Sequence, residues 1–317
     1  MKMGIMAFLL AAAVAVAGGC SKDNRPVKIG VSIPAATHGW TGGVVWNAEQ
    51  VKAKIEQENP DVEVLLTTAS TASDQADRIE NLAARGVQAL VVMAQEPGPV
   101  TPACETAKKQ GVFLVVVSNP LEVPVQDIFV NGDNRSFGRA AAEAIGQLIG
   151  GKGDIVVMEG IPCPINTDRV ESFRETLAKQ YPAIRILESQ AAYWNTEKGL
   201  AVMENLLQKH PEIDAVWAGD DDVMIGALKA YEESGRSDVK AMVGGGGSKA
   251  TVKRIMDGDS VVKGTATYPP QMIATAVEAA LAGLRNGGKA AEREIIVPSQ
   301  TVTKENAAQF YFPDSIY

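Results

Sequence analysis

After residue 26 the chain alternates short apolar runs with segments of helical spacing, and this alternation limits the possible fold classes more than any other feature. The runs are rich in β-branched residues, as in VKIGVSI at 27–33 and FLVVV at 113–117. Between them, apolar residues recur at three- and four-residue intervals, which is typical of amphipathic helices. Regular alternation of this kind predicts βαβ units around mostly parallel sheets, and so an α/β fold.

The predicted elements form two series of similar length. Those of the first series are strands at 27–33, 62–67, 89–93, 113–117 and 127–130, with helices at 44–58, 73–84 and 100–110. Those of the second are strands at 154–158, 184–190, 215–218, 241–243 and 261–265, with helices at 136–148, 167–179, 196–209, 222–234 and 249–257. Two such series, in a chain of 317 residues, predict two Rossmann-like lobes with parallel sheets rather than one core.

The last segment breaks a simple division into first and second halves. It contains one more predicted helix at 269–284 and one more strand at 294–297, followed by a Pro-Ser turn. If both return to the first lobe, the chain crosses between lobes near Gly132, Thr267 and Val297, and three adjacent crossings form a hinge beside a cleft. We therefore predict an N-terminal lobe of residues 27–131 and 268–297, and a C-terminal lobe of residues 132–267 and 298–317.

The first twenty residues are unlike the rest. Lys2 precedes an apolar stretch at 5–16, and small residues lead to Cys20 in the sequence AGGC. This describes a secretory signal peptide, too short to span a membrane, with an ending similar to a bacterial lipobox. We predict a lipid anchor on Cys20, a polar tether at 21–26, and a location in the periplasm or at the cell surface; cleavage without lipidation is the alternative.

Composition and motifs exclude several functions. A net charge of −8 argues against nucleic acid as a partner. Two histidines and no nucleophile-elbow motif argue against a hydrolase, so no catalytic residue is predicted. The run Asp220-Asp221-Asp222 lacks further metal-ligand spacing, and we predict that Asp220 faces the cleft while Asp221 or Asp222 caps the next helix. The run Gly244–Gly247 lacks the end of a phosphate loop and is expected to be a turn that makes room for ligand.

A first binding loop follows the first strand. After Pro34 the strand pattern stops, and helical spacing resumes only near Val44. In an open α/β sheet such a loop lies at the carboxyl edge of the strands, where ligands bind. Thr37, His38 and Trp40 are therefore site candidates. Trp46 and Trp217 are expected in the core, and Cys104 and Cys163 could pair, although nothing in the sequence brings them together.

Several sequence stretches together carry a family resemblance. They are AGDDDVMIGAL at 218–228, NTEKGL at 195–200, GDN at 132–134 and VVM at 91–93. In these stretches, and over nearly all the chain after residue 26, the protein resembles the periplasmic receptors of ABC transporters, of the ribose-binding and galactofuranose-binding type. The resemblance implies two lobes that close on one small molecule without reacting with it, no cofactor, a permease as partner, and a monomer.

The resemblance also implies a set of ligand-binding positions. They are His38, Trp40, Asn119, Asn166, Thr167, Arg169, Trp194, Asp220, Gly246, Thr267 and Tyr268. At three of these places the chain differs from the family: Asn119-Pro120 replaces a charged pair, the glycine run replaces an aspartate, and Thr267-Tyr268 replaces a glutamine. The expected ligand is a monosaccharide or polyol held between Trp40 and Trp194, bulkier than ribose or differently substituted.

Three other functions are alternatives to this interpretation. A sensory receptor that presents the same kind of ligand to a chemoreceptor or sensor kinase is the main alternative. A repressor of the lactose-repressor family would share the fold, but a signal peptide stands where its DNA-binding headpiece would be. An exported enzyme is disfavoured because no pair of a nucleophile and a base is found.

Overall fold

A computed structural model of the chain describes residues 26–36 and 38–317. The predicted signal peptide, Cys20, most of the tether and Thr37 lie outside the described residues. Within the described part, no helix combines the length and the apolar character needed to cross a membrane.

Strands and helices alternate as the sequence predicts. The strands are β1 (Val27–Pro34), β2 (Val62–Ala69), β3 (Ala89–Val92), β4 (Phe113–Val117), β5 (Ile128–Gly132), β6 (Lys152–Glu159), β7 (Ala183–Ala191), β8 (Ala215–Ala218), β9 (Ala241–Gly246), β10 (Val262–Thr267), β11 (Glu294–Val297) and β12 (Thr301–Val302). The helices are α1 (Gly39–Glu58), α2 (Ala72–Ala84), α3 (Pro97–Lys109), α4 (Asn134–Leu148), α5 (Pro164–Gln180), α6 (Thr196–Lys209), α7 (Asp221–Ser234), α8 (Lys249–Asp257) and α9 (Met272–Arg285), with a short 3₁₀ turn at Ala307–Gln309.

The strands form two six-stranded sheets. The order in the first is β11-β5-β4-β3-β1-β2 and all its neighbours are parallel. The order in the second is β12-β10-β9-β8-β6-β7, parallel except for β12, which runs antiparallel to β10. The predicted α/β fold with two lobes is confirmed, while the short antiparallel β12 was not predicted.

Two elements beside the cavity, α1 and β9, have bounds that differ from the predicted ones. Helix α1 starts at Gly39 instead of Val44, so Trp40 lies in the first helical turn and not in a loop. Strand β9 runs on to Gly246, so most of the glycine run is strand and not turn. Its glycines are needed because a Cβ on Gly245 would lie 2.3 Å from the Phe137 ring.

The chain passes between the two sheets three times. It does so between β5 and α4, between β10 and α9, and between β11 and β12. Helix α9 packs on the first sheet and α4 on the second. These passages agree with the predicted three-crossing hinge, and the proposed lobe boundaries, 27–131 with 268–297 and 132–267 with 298–317, stay a prediction.

A continuous apolar core links the lobes through this hinge. It runs from α1 and α9 over the first sheet, past Phe137 and Tyr268, to α4 and α5 over the second. Trp217 lies within it, stacked on Phe173 with ring centroids 3.9 Å apart, as expected of a core tryptophan. Trp46 is only half-buried on α1, so its assignment to the core was wrong.

Candidate ligand-binding site

A cavity of about 390 Å³ lies between the lobes. Its walls come from the segments that follow β1, β3 and β4 in the first sheet, from those that follow β6, β7 and β8 in the second, and from the end of β9. All of these are carboxyl ends of parallel strands, the edge at which open α/β sheets bind ligands. The volume is within the usual range of small-molecule sites.

Most of the predicted ligand positions line this cavity. Those that do are His38, Trp40, Asn119, Arg169, Trp194, Asp220, Gly246 and Tyr268. Cys163 is also part of the wall, half-buried, whereas Cys104 is buried in α3, and both are free thiols.

Three predicted positions do not line the cavity. Asn166 instead holds the loop after β6, because its Oδ1 accepts from the Gly160 amide at 2.7 Å. Thr167 is exposed on α5, where its hydroxyl donates to the Cys163 carbonyl. Thr267 is buried at the second crossing and its Oγ1 accepts from the Gln300 amide. The three side chains make hydrogen bonds within the protein, and their predicted contact with a ligand stays a prediction.

Trp40 joins α1 to the second crossing. Its indole Nε1 donates to the Tyr268 carbonyl at 2.7 Å, and the two rings lie 5.5 Å apart at a tilt of 42°. The polar end of the indole is therefore engaged by the protein, and only the ring surface is left to contact a ligand. His38 precedes α1. Burial lowers the pKa of its imidazole and outweighs the opposing effect of the Asp222 charge, so the neutral form of the ring is favoured.

Trp194 is held in an unusual backbone conformation. Both Tyr193 and Trp194 have positive φ, at 57° and 52°, a left-handed region that bulky residues rarely adopt. The indole lies against Gly160, where a Cβ would come within 2.0 Å of Nε1. Ser118, another cavity residue, also has positive φ. Strained backbone persists only where the surrounding structure holds it in place, and such residues cluster at functional sites.

Arg169 is a buried cation with aromatic neighbours. Its Cζ lies 4.0 Å from the ring centroid of Phe137 and 4.4 Å from that of Tyr268. Its Nε donates to Asn134 at 2.9 Å, and its terminal Nη groups make no hydrogen bond to any described residue. Burial lowers the pKa of Arg169, while the charges of Tyr268 and Asp220 act in the opposite direction. The free Nη donors are therefore available to a ligand.

The three consecutive aspartates have three separate roles. Asp220 lines the cavity and caps α7, since its Oδ1 accepts from the Asp222 amide at 2.8 Å. The prediction that Asp221 or Asp222 forms this cap was wrong. Asp221 is fully buried and accepts from the Ser248 amide and the Thr265 hydroxyl. Asp222 accepts from the Gly39 amide of the other lobe at 2.9 Å. In the described chain, no group of three or more His, Cys, Asp or Glu side chains is placed to hold a metal ion.

Burial raises the pKa of two of these carboxyls. The pKa of Asp220 lies well above its ordinary value, through desolvation first and then the charges of Asp222 and Asp221. Desolvation also raises the pKa of Asp221, from 3.8 to about 7. Both carboxyls thus bind protons more tightly in the folded protein than in the unfolded chain.

We expect the stability of the protein to fall as the pH rises through this range. An acid with a raised folded-state pKa contributes stability below its unfolded pKa and loses that contribution as the pH passes its folded pKa. For Asp221 this window runs from about pH 4 to pH 7. In thermal melts at pH 5 and pH 8, the loss in Tm should be several degrees smaller for Asp221→Asn than for the unsubstituted protein. Equal losses in the two proteins would contradict this.

Sequence reasoning missed two kinds of cavity residue. Met93, Gln95 and Ser118 follow or end strands β3 and β4 and could have been found by applying the strand-end rule to every strand. Gln95 is notable because its buried Oε1 has no partner among the described residues. Tyr317 had no such signal. It packs beside the cavity, where a Cβ on Gly246 would meet its hydroxyl at 2.0 Å and one on Gly43 its Cβ at 2.8 Å.

With this geometry the chain can be compared with known proteins. Residues 29–289 match the family model described as periplasmic binding protein domain. The chain therefore belongs to the periplasmic binding proteins, extracytoplasmic proteins that bind solutes and are not enzymes. This family assignment confirms the resemblance inferred from the sequence.

Individual proteins and solved structures are also similar to this chain. The chain is 28% identical over 242 residues to the ribose import binding protein RbsB of Bacillus subtilis, covering 76% of this chain and 77% of that protein. It is 28% identical over 251 residues to the xylitol-binding protein of Mycolicibacterium smegmatis, and the match covers 77% of this chain and 69% of that protein. Among solved structures, an ABC transporter solute-binding protein from Mycobacterium smegmatis with bound glycerol has a TM-score of 0.80 at 26% identity, covering 92% of this chain and 98% of that one. A solute-binding protein from Actinobacillus succinogenes with bound D-allose also has a TM-score of 0.80, and the match covers 90% of this chain and 100% of that one. Its sequence identity is 24%, so this likeness shows the fold alone.

Proposed function

We propose that this protein is the solute receptor of an ABC importer and binds a monosaccharide or polyol in the cavity between its lobes. One observation carries the proposal: the free donors of Arg169 and the carboxyl of Asp220 line the same cavity, and no ion pair joins them in the described structure. Buried polar groups without partners are costly, so both favour a ligand that donates and accepts hydrogen bonds. A hydroxyl does both, and Trp194 offers a ring against which the C–H groups of a sugar or polyol can pack.

The relatives support the same ligand class. Two of them are a ribose import binding protein and a xylitol-binding protein, and one similar structure holds glycerol. Ribose is a monosaccharide, and xylitol and glycerol are polyols, so the shared chemistry is a chain or ring of adjacent hydroxyls. The role of the Bacillus subtilis relative as an import binding protein supports delivery to a permease as part of the proposal.

Closure would couple binding to delivery. The Gly39–Asp222 hydrogen bond and the Tyr317 side chain already join the lobes beside the cavity. A ligand that contacts Asp220 and Arg169 on one lobe and Trp40 or Asn119 on the other is bound more tightly by the closed form. It therefore shifts the population of the protein toward that form.

The lipid anchor is part of the proposal. The AGGC ending of the predicted signal peptide supports attachment to a membrane through Cys20, which lies outside the described residues. Expression of Cys20→Ala should move the protein from the membrane fraction to the soluble fraction, and an unchanged distribution would argue for cleavage without lipidation.

Thermal melts of the purified protein test the ligand class. The panel would contain pentoses, hexoses, polyols, inositols and furanosides, each at high concentration. A solute at one hundred times its dissociation constant stabilises the folded protein by about 2.7 kcal/mol, which a melt detects. We expect at least one saturable hit, weakened in Asp220→Asn, which keeps the α7 cap because asparagine is also a good N-cap. A cooperative melt that no member of the panel shifts would overturn the proposal.

A further inference from the structure

The cavity is poor in unengaged polar side chains. The Trp40 indole donates to the Tyr268 carbonyl, Ser118 and the Tyr268 hydroxyl bond to each other, and the Asn119 amide donates to the Ala94 carbonyl. These groups line the cavity but have already given up part of their hydrogen-bonding capacity to the protein. If a ligand had hydroxyls on every side, several of its hydroxyls would be buried without a hydrogen-bond partner, and each of these would cost about 1–3 kcal/mol of binding free energy.

Each lobe contributes apolar residues to the cavity wall. From the second lobe, the loop after β6 contributes Ile161 and Cys163, and the first turn of α5 contributes Pro164 and Ile165. From the first lobe, the segment after β3 adds a proline, Pro97. Aliphatic side chains of this kind offer nothing to a hydroxyl, whereas each methyl or methylene group that they cover gains about 0.8 kcal/mol.

The polar groups that remain free are few. Arg169 keeps its Nη donors, and Asp220 keeps the oxygen that does not cap α7. The buried Oε1 of Gln95 and the buried Nδ1 of His38, both residues of the cavity wall, have no partner among the described residues. These groups can bind a small number of ligand hydroxyls. The cavity thus combines a small polar set with an apolar wall.

We propose that the ligand is a sugar or polyol in which at least one hydroxyl is replaced by hydrogen or capped by a methyl group, with that apolar position against the loop after β6. The inference rests on the proposed function and specifies the ligand class of the same site. It defines deoxysugars and O-methyl polyols as better ligands than their fully hydroxylated parents.

Matched pairs of solutes test this by titration calorimetry on the full protein. Suitable pairs are L-galactose with L-fucose, L-mannose with L-rhamnose, D-glucose with 6-deoxy-D-glucose, and myo-inositol with its mono-O-methyl ethers. In the pair that contains the tightest-binding solute, the deoxy or methylated member should bind at least tenfold more tightly. If the hydroxylated parent binds as tightly or more so, the inference is overturned and the proposed function stands. If no member of any pair binds, the inference is overturned, and the proposed function fails only if the whole panel of pentoses, hexoses, polyols, inositols and furanosides also leaves the thermal melt unchanged.

A pair of variants locates the preference in the wall. Ile161 lines the cavity and is 41% exposed, while Ile296 on β11 is 46% exposed and outside it. Ile161→Thr adds a hydroxyl to the wall and should lower the preference for the deoxy or methylated member at least threefold. Ile296→Thr should leave the preference unchanged. Equal preference ratios in the two variants, with cooperative melts for both, would overturn the assignment of the apolar position to this loop.

Discussion

Replacing Trp194 with alanine is expected to weaken ligand binding at least a hundredfold while the protein stays folded. The indole lines the cavity and is half-buried, so it has surface free to cover a ligand. Loss of a well-packed aromatic contact costs a binding site about 2–4 kcal/mol, and a hundredfold weaker affinity corresponds to about 2.7 kcal/mol. The measurement is calorimetric titration with the best solute of the panel.

Trp46→Ala is the matched control for this variant. Trp46 is also a half-buried tryptophan, but it lies on α1 outside the cavity. We expect it to lower Tm without changing the dissociation constant by more than about twofold, which is less than 0.5 kcal/mol. If Trp46→Ala weakened binding as much as Trp194→Ala did, the effect would be one of general stability and Trp194 would lose its role in the site.

Replacing Gly226 with alanine is expected to destabilise the protein by about 2–4 kcal/mol, although alanine is the better helix former. A Cβ at this position of α7 would lie 2.1 Å from the Thr196 carbonyl oxygen and 2.7 Å from the Leu200 amide nitrogen, both in α6. These are backbone atoms, so the two helices must move apart and lose packing along their contact. Thermal melting should show Tm lower by roughly 10 °C.

The same substitution at Gly42 should change the free energy of unfolding in the opposite direction. Gly42 is in α1, and a Cβ there would meet only the Ile316 Cδ1, at an ordinary 3.9 Å. With no clash, the helix propensity of alanine dominates and stabilises by up to about 1 kcal/mol. A Gly226→Ala variant as stable as Gly42→Ala would mean that α6 and α7 are not in close contact.

Local patterns account for what the sequence predicted well. The bounds of β4, β8, β11, α6 and α8 agree with the structure, because buried β-branched runs and good caps such as Asn195 and Ser248 act over a few neighbouring residues. Gly86 and Gly111 follow the ends of α2 and α3 and have positive φ of 74° and 87°, the conformation that favours glycine after a helix.

Long-range contacts account for what the sequence did not predict. The start of α1 contains Gly39, whose amide bonds to Asp222, a residue 183 positions away. Strand β9 contains glycines because Phe137 and Asp221 fill the space in which the Cβ atoms of other residues would lie. Asn166 was expected to contact a ligand, but the Gly160 amide already engages its Oδ1. Spacing along a chain does not reveal which polar side chains the protein itself will use.

The third passage between the sheets sets a limit on when either lobe can be complete during synthesis. The first sheet contains β11, which ends at Val297, and the second contains β12, which begins at Thr301. A ribosome must therefore have made almost the whole chain before either sheet has all its strands. Until then the edges of β5 and β10 that β11 and β12 later cover are unpaired, and they can associate with other chains. Fragments that stop short of residue 297 should for the same reason aggregate rather than fold as single lobes.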